Sequence, residues 1–493
     1  MKNRLPFLLL AILLANTRAG AENRTDALYL TVRDCIAMAL DNNLEISIQR
    51  IAPQMDAAAL RQAKGDFDPA LVLAPNYEEN TTPLDAQSVV AAGGRLSTKS
   101  RTSSLSTSLQ GKIPSGTSYD FGLRTSDGQN TFNSFQDQYS TFWGLSVTQP
   151  LLKGFGTANQ LATIRIARKQ KEISDEAFAL KVMDIVTRIK TSYYNLVFAI
   201  ENRHVQLQAL DLASKLLDDN RKRVRIGVMA PLELTQAESG VAAREEDVIL
   251  AGQEVNLRMN EIRALISQNV SELRDRPVMP TGMPQDASLP LMNHDEAITT
   301  AMASRPEYRQ AQLTIEQRHL QVKYDENQRY PQMDLKSTYG YNGIGKDFSS
   351  SINADTERWS VGVAVRIPLP DQAGQGRLEK SLLDKERALL QLKQVEQNIL
   401  VEVENALNNV EASYKRILAT RASTHTSEQA LDAENTRLKA GATTSFVVLE
   451  LQKKLADARS RELRALADYH IALAQLHKAQ GTSLGENDIE LVK

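Results

Sequence analysis

Only one cysteine, Cys35, stands in the 493 residues of the chain, which excludes an intramolecular disulfide and any zinc centre built on thiolates. Cys35 follows Val32-Arg33-Asp34, which is not the small, apolar context of a lipid-attachment site, and it lies inside a helical pattern. It reads as a buried helix cysteine. Aromatic residues make up only 5% of the chain, against 42% hydrophobic residues drawn largely from Ala, Leu and Val. That balance suits long helices better than a thick globular core. Neither sign of charge dominates, with 58 basic and 60 acidic residues giving a net charge of −2. A nucleic-acid partner calls for a concentrated basic patch, and none is written here. Beyond the first residues no apolar run approaches the ~18–20 residues that span a bilayer as a helix. Transmembrane β-strands are not excluded, because their alternation escapes a hydropathy scan.

Catalytic patterns are missing as well. The six histidines, His204, His294, His319, His425, His470 and His477, form neither His-x-x-x-His nor His-Glu-x-x-His. No serine has a nucleophile-elbow setting. Gly340 to Lys346 fits the first seven places of a phosphate-binding loop, but Asp347 stands where Ser or Thr would hold magnesium, and the residues beyond it are strand-like rather than helical. A turn between two strands is the better reading. No enzyme, cofactor or metal site is expected.

What is present begins with an export signal. Lys2 and Arg4 form a charged region, Leu5 to Ala15 an apolar one, and Ala19-Gly20-Ala21 a small-residue cleavage site. Residues 1–21 are therefore set aside from the fold.

The remainder is written twice. A shift of 262 lays Leu30–Tyr77 on Met292–Tyr339 without a gap, so that Ile36, Ala39, Glu45, Pro69, Leu73 and Tyr77 meet Ile298, Ala301, Glu307, Pro331, Leu335 and Tyr339. A shift of 218 lays Gly144–Leu151 on Gly362–Leu369, and Gly156 on Gly374. A shift of 214 brings Arg223 onto Arg437 and Gly227 onto Gly441. Chance yields one such coincidence, not three in the same order. The first copy takes 22–275 and the second 291–480, with a Pro-rich connector at 276–290 and a tail at 481–493. The shifts 262 and 218 differ by 44, so the first copy carries about that many extra residues before Gln149-Pro150.

Each copy reads as helix, strands, very long helix, glycine turn and second long helix. The opening helix, about Thr31 to Lys64, contains Pro53, where a kink or break is expected. Trp359, Val361, Val363, Val365 and Ile367 alternate with Ser360, Gly362, Ala364 and Arg366. Tyr139, Thr141, Trp143, Leu145 and Val147 do the same against Ser140, Phe142, Gly144, Ser146 and Thr148. In the first copy Leu105, Thr107 and Leu109 alternate with serines, and Tyr119, Phe121 and Leu123 pair with them across Pro114-Ser115-Gly116. An apolar, aromatic face opposite a Ser/Thr/Gly face suits a lipid-facing, water-lined barrel wall. An ordinary half-buried sheet shows the same alternation.

The long helices repeat every eleven residues: Val182, Ile185, Ile189, Tyr193, Leu196, Ile200, His204 and Leu207, and again Leu392, Val395, Ile399, Val403, Ala406, Val410, Tyr414 and Ile417. Such helices pack nearly straight or slightly right-handed, and His204, on the apolar stripe, reads as a packed or interface residue rather than a ligand. The proline-free run from Ala158 to Arg225 gives a rod of roughly 100 Å, and Gly376 to Lys439 is similar.

Tandem units whose strands end in Gln149-Pro150-Leu151 and Ile367-Pro368-Leu369, followed by a glycine-rich corner and a long helical hairpin, resemble the TolC-like outer-membrane factor family. The resemblance covers nearly all of the chain after the signal. Its most specific parts are Gly144–Gly156 with Gly362–Gly374, and the turns Arg223–Glu238 and Arg437–Gln452. It implies an α+β membrane protein in which a homotrimer shares one 12-stranded β-barrel, four strands from each chain, set on a long α-helical barrel in the periplasm. It also implies outer-membrane lipid as surroundings, and docking of a periplasmic adaptor and an inner-membrane transporter at the turns around Arg223, Gly227, Arg437 and Gly441. Acidic residues past the turns line the entrance in that family, and Glu233 and Glu450 match two such positions. Val447 occupies a usual second acidic site, and Leu438 and Thr443 replace polar or aromatic gate residues. The stretch around Arg95–Asn130 has three open readings: a taller wall, added strands or an extracellular loop. The function implied is a passive export duct of an efflux or type I secretion system. The other reading is a soluble periplasmic scaffold or adaptor made of helical hairpins.

Overall fold

The computed structural model describes residues 27–131, 134–282, 287–288, 293–353 and 355–491. The expected signal peptide, parts of the connector and the end of the tail lie outside them.

The duplication holds at the level of individual backbone bonds. Strand β1 (Leu28–Leu30) leads into a helix, Val32–Asn42. Thr31 opens that helix with a capping box: its hydroxyl accepts from the Asp34 N–H at 3.1 Å, and the Asp34 carboxylate accepts from the Thr31 N–H at 2.8 Å. Asn43 then turns extended, at φ −70° and ψ 124°, and its N–H closes on the Ala39 carbonyl at 2.8 Å. In the second copy, 262 residues on, Asn293 caps His294–Ser304, and Arg305 turns extended at φ −76° and ψ 125°, its N–H on the Ala301 carbonyl. The helices Leu44–Lys64 and Pro306–Gln328 come next in their copies.

The expected break at Pro53 is therefore corrected: the helix Leu44–Lys64 runs through it, and the break falls at Asn43. A proline inside a helix removes one backbone bond, and this helix absorbs that loss. The sequence signal for the true break lies in the other copy. Pro306 pushes Arg305 out of the helical region, and Asn43 is its counterpart.

The remaining strands are β2 (Ala70–Pro83), β3 (Ser97–Lys112), β4 (Ser118–Asn130) and β5 (Tyr139–Pro150), then β6 (Val278–Pro280) in the connector, and β7 (Gln332–Gly345) and β8 (Thr356–Arg366) in the second copy. β6 pairs in parallel with β1, Leu28 opposite Val278, so the Pro-rich connector is partly ordered as strand. The other six form one antiparallel sheet in the order β2-β3-β4-β5-β7-β8. The bounds of β7 are those of β2 shifted by 262. The resemblance implied four strands from each chain. The sheet has six, because the extra stretch of the first copy adds β3 and β4 within it. Gly340 to Gly345 is the upper part of β7, and Asp347 caps a short helix, Phe348–Ile352, so this segment is strand and turn rather than a phosphate loop.

Among the described residues four long helices follow: Ala162–Arg225 and Pro231–Ile266 in the first copy, Gln372–Lys439 and Ser445–Ala479 in the second. At 64 and 68 residues the first of each pair reaches about 95–100 Å. Among the described residues, no helix is long and apolar enough to cross a membrane. Contacts gather into two compact units that both draw on both copies. One takes residues up to Asn43, Ile189–Ala287 and Ile417–Asp468; the other takes Leu44–Arg188, Ser288–Arg416 and the chain from Tyr469.

The predicted stripes are buried only in part. Val182, Ile185, Ile189, Tyr193 and Leu196 are buried, as are Ile399, Val403, Ala406, Val410 and Ile417. Past Leu196 the buried face steps to Val205, Ala209, Ala213 and Asn220, leaving His204 and Leu207 exposed. Past Ile417 it steps by sevens, through Thr424, Leu431 and Leu438. A seven-residue spacing belongs to a left-handed supercoil, so the period changes along the second rod, whereas on the first the buried face moves one residue on, from His204 to Val205. His204 accordingly is not packed within the chain; it bonds Gln208 at 2.9 Å. Cys35 is buried, and that burial pushes its thiol up to about 12. Glu45 lies against Lys181 at 2.6 Å and Arg188 at 2.8 Å, which hold its carboxyl below the usual carboxylate range.

Leu196→Ala empties a fully buried site and is expected to cost about 2–5 kcal/mol, seen as a lowered thermal midpoint. Lys215→Ala removes only an exposed pair with Asp211 and is expected to leave the midpoint unchanged.

Candidate functional site

The turns between the long helices are the same device used twice. After Arg225 the chain puts Gly227 at φ 79°, with the Val228 N–H on the Arg223 carbonyl at 3.1 Å and the Gly227 N–H on the Val224 carbonyl at 3.0 Å. After Lys439 it puts Gly441 at φ 73°, with the Ala442 N–H on the Arg437 carbonyl at 2.9 Å and the Gly441 N–H on the Leu438 carbonyl at 3.2 Å. This pair of bonds is a Schellman motif, which satisfies helix-end carbonyls and requires a left-handed residue. Glycine takes that conformation without steric cost.

The return helices begin differently. The first starts with Pro231, which has no N–H to satisfy. The second starts with Ser445, whose N–H has no partner inside its own helix. Glu233 supplies one: its carboxylate oxygen accepts from the Ser445 N–H at 3.0 Å. An acid at a helix start is also favoured by the helix dipole. The position equivalent to Glu233 at the 214 shift is Val447. Pro231, the counterpart of Ser445, has no N–H for a carboxylate to hold.

Two further bonds join the copies here. Asn220 is buried and donates its amide to the Ser445 hydroxyl at 2.8 Å and to the Glu233 carbonyl at 3.4 Å. Arg223 donates to the Leu438 carbonyl at 3.3 Å, taking one of the carbonyls left over at the end of the second outgoing helix. Arg437 stays within its own copy, on Glu434 at 3.1 Å and the Ala442 carbonyl at 3.4 Å. Leu431, Leu438, Val448 and Leu455 form an apolar cluster beside these bonds, with Leu216 and Leu451 packed against it.

Among the sequence-predicted residues, the structure brings Arg223, Gly227, Glu233, Arg437 and Gly441 into this region in the roles just given. Glu233 and Glu450 part company. Glu233 is half-buried and tied to Ser445, whereas Glu450 is exposed on the second return helix. Asn220 and Ser445 were missed. Asn220 did leave a signal, since it continues the buried face seven residues after Ala213, and a buried amide needs a partner. The turns also differ at their surfaces. Ile226 and Val228 are 72% and 69% exposed, and their counterparts at the 214 shift are Ala440 and Ala442.

Comparison with known proteins places this arrangement. The family described as "Outer membrane efflux protein" matches residues 35–268 and 297–482. The pyoverdine export outer membrane protein OpmQ of Pseudomonas aeruginosa is 23% identical over 332 residues, which cover 65% of this chain and 66% of that protein. The cobalt-zinc-cadmium resistance protein CzcC of Cupriavidus metallidurans is 21% identical over 328 residues, 65% of this chain and 73% of that one. In fold, the outer-membrane channel OprN superposes with a TM-score of 0.70 at 16% identity, covering 92% of this chain and 90% of that one. The Campylobacter jejuni CmeC outer membrane channel gives 0.69 at 14% identity, covering 98% and 94%.

Asn220→Ala strips the buried Ser445 hydroxyl of its donor and is expected to cost about 1–3 kcal/mol. The loss should appear as faster amide hydrogen exchange over 445–448, with protection of the six-stranded sheet unchanged. Gly441→Ala, which forces a side chain to φ 73°, is expected to cost about 1–2 kcal/mol and to speed exchange at the same turn.

Proposed function

The chain belongs to the outer membrane efflux protein family, and on that premise we propose that it is a passive homotrimeric export duct of the outer membrane, opened at its periplasmic helix turns by an adaptor and an inner-membrane pump. The observation that carries the reading is the doubled unit itself: strands with one apolar face, joined in each copy to a paired rod that ends in a glycine turn. In this reading the halves 22–275 and 291–480 each supply wall strands and one helical hairpin, and the connector 276–290 joins them. A soluble scaffold gives no reason for an apolar sheet face between long helices in both copies.

Opening then means parting the first copy's turn from the second's within each chain. The bonds to be lost are Glu233 to Ser445, Asn220 to Ser445 and Arg223 to Leu438. Two involve charged groups, and together they are worth on the order of 3–6 kcal/mol. That is small enough for a binding partner to supply and large enough to keep an unengaged duct shut. Ile226 and Val228 offer the adaptor an apolar contact that Ala440 and Ala442 do not match, so docking is weighted toward the first turn. Glu450, exposed and outside the latch, is the acid that draws cations to the entrance. Glu233 acts on opening instead.

Membrane fractionation tests the premise. Recovery in the outer membrane, released only by detergent, is expected; recovery in the soluble periplasm without detergent sinks the duct. Planar-bilayer recordings on the purified trimer test the division of labour. Glu233→Gln and Asn220→Ala are expected to raise open probability, and Glu450→Gln to lower cation preference without doing so. Identical behaviour of the two glutamate variants overturns the separate roles. Val228→Asp is expected to leave the trimer intact and to abolish export that depends on the adaptor.

A further inference from the structure

We propose that the β3–β4 hairpin is part of the membrane wall, so that three chains close a barrel of eighteen strands, β8 of one chain pairing with β2 of the next. The inference rests on the trimeric-duct reading and adds to it the size of the wall and the surface through which copies join.

Register is the first ground. All of β2 pairs with β3, from Ala70 opposite Gln110 to Pro83 opposite Ser97, and β3 pairs with β4 from Ser100 opposite Asn130 to Lys112 opposite Ser118. Both runs exceed the ~9–11 residues a strand needs to cross a bilayer.

Phase is the second. Leu71, Leu109, Phe121, Leu145, Tyr339 and Trp359 lie directly opposite one another across all six strands. Every one of them is exposed in the single chain. One residue along, the opposite face runs through Ser108, Gly122, Gly144 and Gly340. The hairpin therefore continues both the apolar and the polar face without a slip. A loop standing in water has no cause to keep that phase.

The third ground is where the hairpin turns. Gly116, at φ 98°, leaves no room for a side chain, since a Cβ would lie 2.8 Å from the Gly154 carbonyl and 2.9 Å from Gln160 Nε2. The Gly156 N–H donates to the Ser115 carbonyl at 3.2 Å, and the Thr117 hydroxyl bonds Gln149. The turn is thus fastened to the corner where β5 gives way to helix, at the opposite end of the sheet from the link between β2 and β3. The hairpin crosses the full height of the wall.

The sheet ends in two edges, β2 and β8. Lipid does not tolerate open edges, and six strands fall short of the eight in the smallest membrane barrels. A second copy of the chain is therefore the occupant of each edge. Six is even, so β8 meets the neighbour's β2 antiparallel and the alternation continues around the ring. Barrel diameter grows about linearly with strand number, which makes this mouth roughly 1.5 times as wide as one of twelve strands.

The test uses nitroxide labels on the reconstituted trimer in a Cys35→Ala background. Labels at Leu109→Cys and Phe121→Cys report on the hairpin, and one at Val363→Cys on β8 as reference. All three are expected to be reached by oxygen and shielded from a water-soluble nickel complex, with Ser106→Cys showing the reverse. Nickel access at 109 and 121 beside lipid exposure at 363 overturns the eighteen-stranded wall and leaves the duct standing. Nickel access at all three overturns the duct and this inference with it. A strand count by electron cryomicroscopy decides independently, with eighteen in support and twelve against.

Discussion

At the start of a helix the first backbone N–H groups have no partner within it, and at Ser445 one of them is taken by the carboxylate of Glu233 from the other half of the chain. Much of the difference between the two copies stems from that bond. The first return helix begins with Pro231 and asks for no such acceptor, and the position 214 residues after Glu233 holds Val447 rather than an acid. Asn220 then finds the Ser445 hydroxyl beside the same helix start, and Arg223 takes a carbonyl from the end of the preceding rod. The duplicated turns would be interchangeable without these differences. With them, one copy supplies side-chain donors and acceptors and the other supplies mainly backbone.

The same requirement governs the sheet. A strand pairs on both sides or leaves a row of donors and acceptors open. Inside one chain β3, β4, β5 and β7 are paired on both sides, and the demand is pushed out to β2 and β8. In the proposed duct, assembly of copies would be the sheet's counterpart of the Glu233 bond, in which backbone groups that cannot be satisfied locally recruit a partner from elsewhere. The glycines on the polar face serve the pairing itself. A Cβ at Gly144 would stand 2.4 Å from the Tyr339 carbonyl, and one at Gly340 2.4 Å from the Trp143 carbonyl, so at this point β5 and β7 approach too closely for any other residue.

Features repeated in the sequence were the legible ones. The 262 shift anticipates the bounds of β2 and β7 to the residue, and it also relates the two helix breaks, although Asn43 hides in one copy what Pro306 declares in the other. Position along a rod was harder to read. An eleven-residue stripe predicts burial correctly as far as Leu196, then fails at His204 and Leu207 because the buried face moves one residue on, to Val205 and Ala209. Such a change depends on how a helix wraps its neighbours, which no single helix encodes. The partner of Glu233 was equally hidden, since it lies 212 residues away and is a backbone group, for which every residue but proline is the same letter. The hairpin was ambiguous for a related reason: alternation states that a segment is a strand, while only register states which sheet it joins.

Unequal copies also bear on how an opening signal is delivered in the proposed duct. If both turns were latched by equivalent side chains, a partner pressing on either would meet the same resistance. Here Asn220, Arg223 and Glu233 all belong to the first copy, beside the exposed Ile226 and Val228, while the groups they hold belong to the second. Contact with the apolar tip thus falls on the half that carries the side-chain ends of the latch. A small displacement of that turn would strain all three bonds together, because they converge on one helix start and one helix end. The Schellman bonds around Gly227 lie within the first copy and stay made, so the turn moves as a rigid unit, and the strain falls on the bonds between the copies.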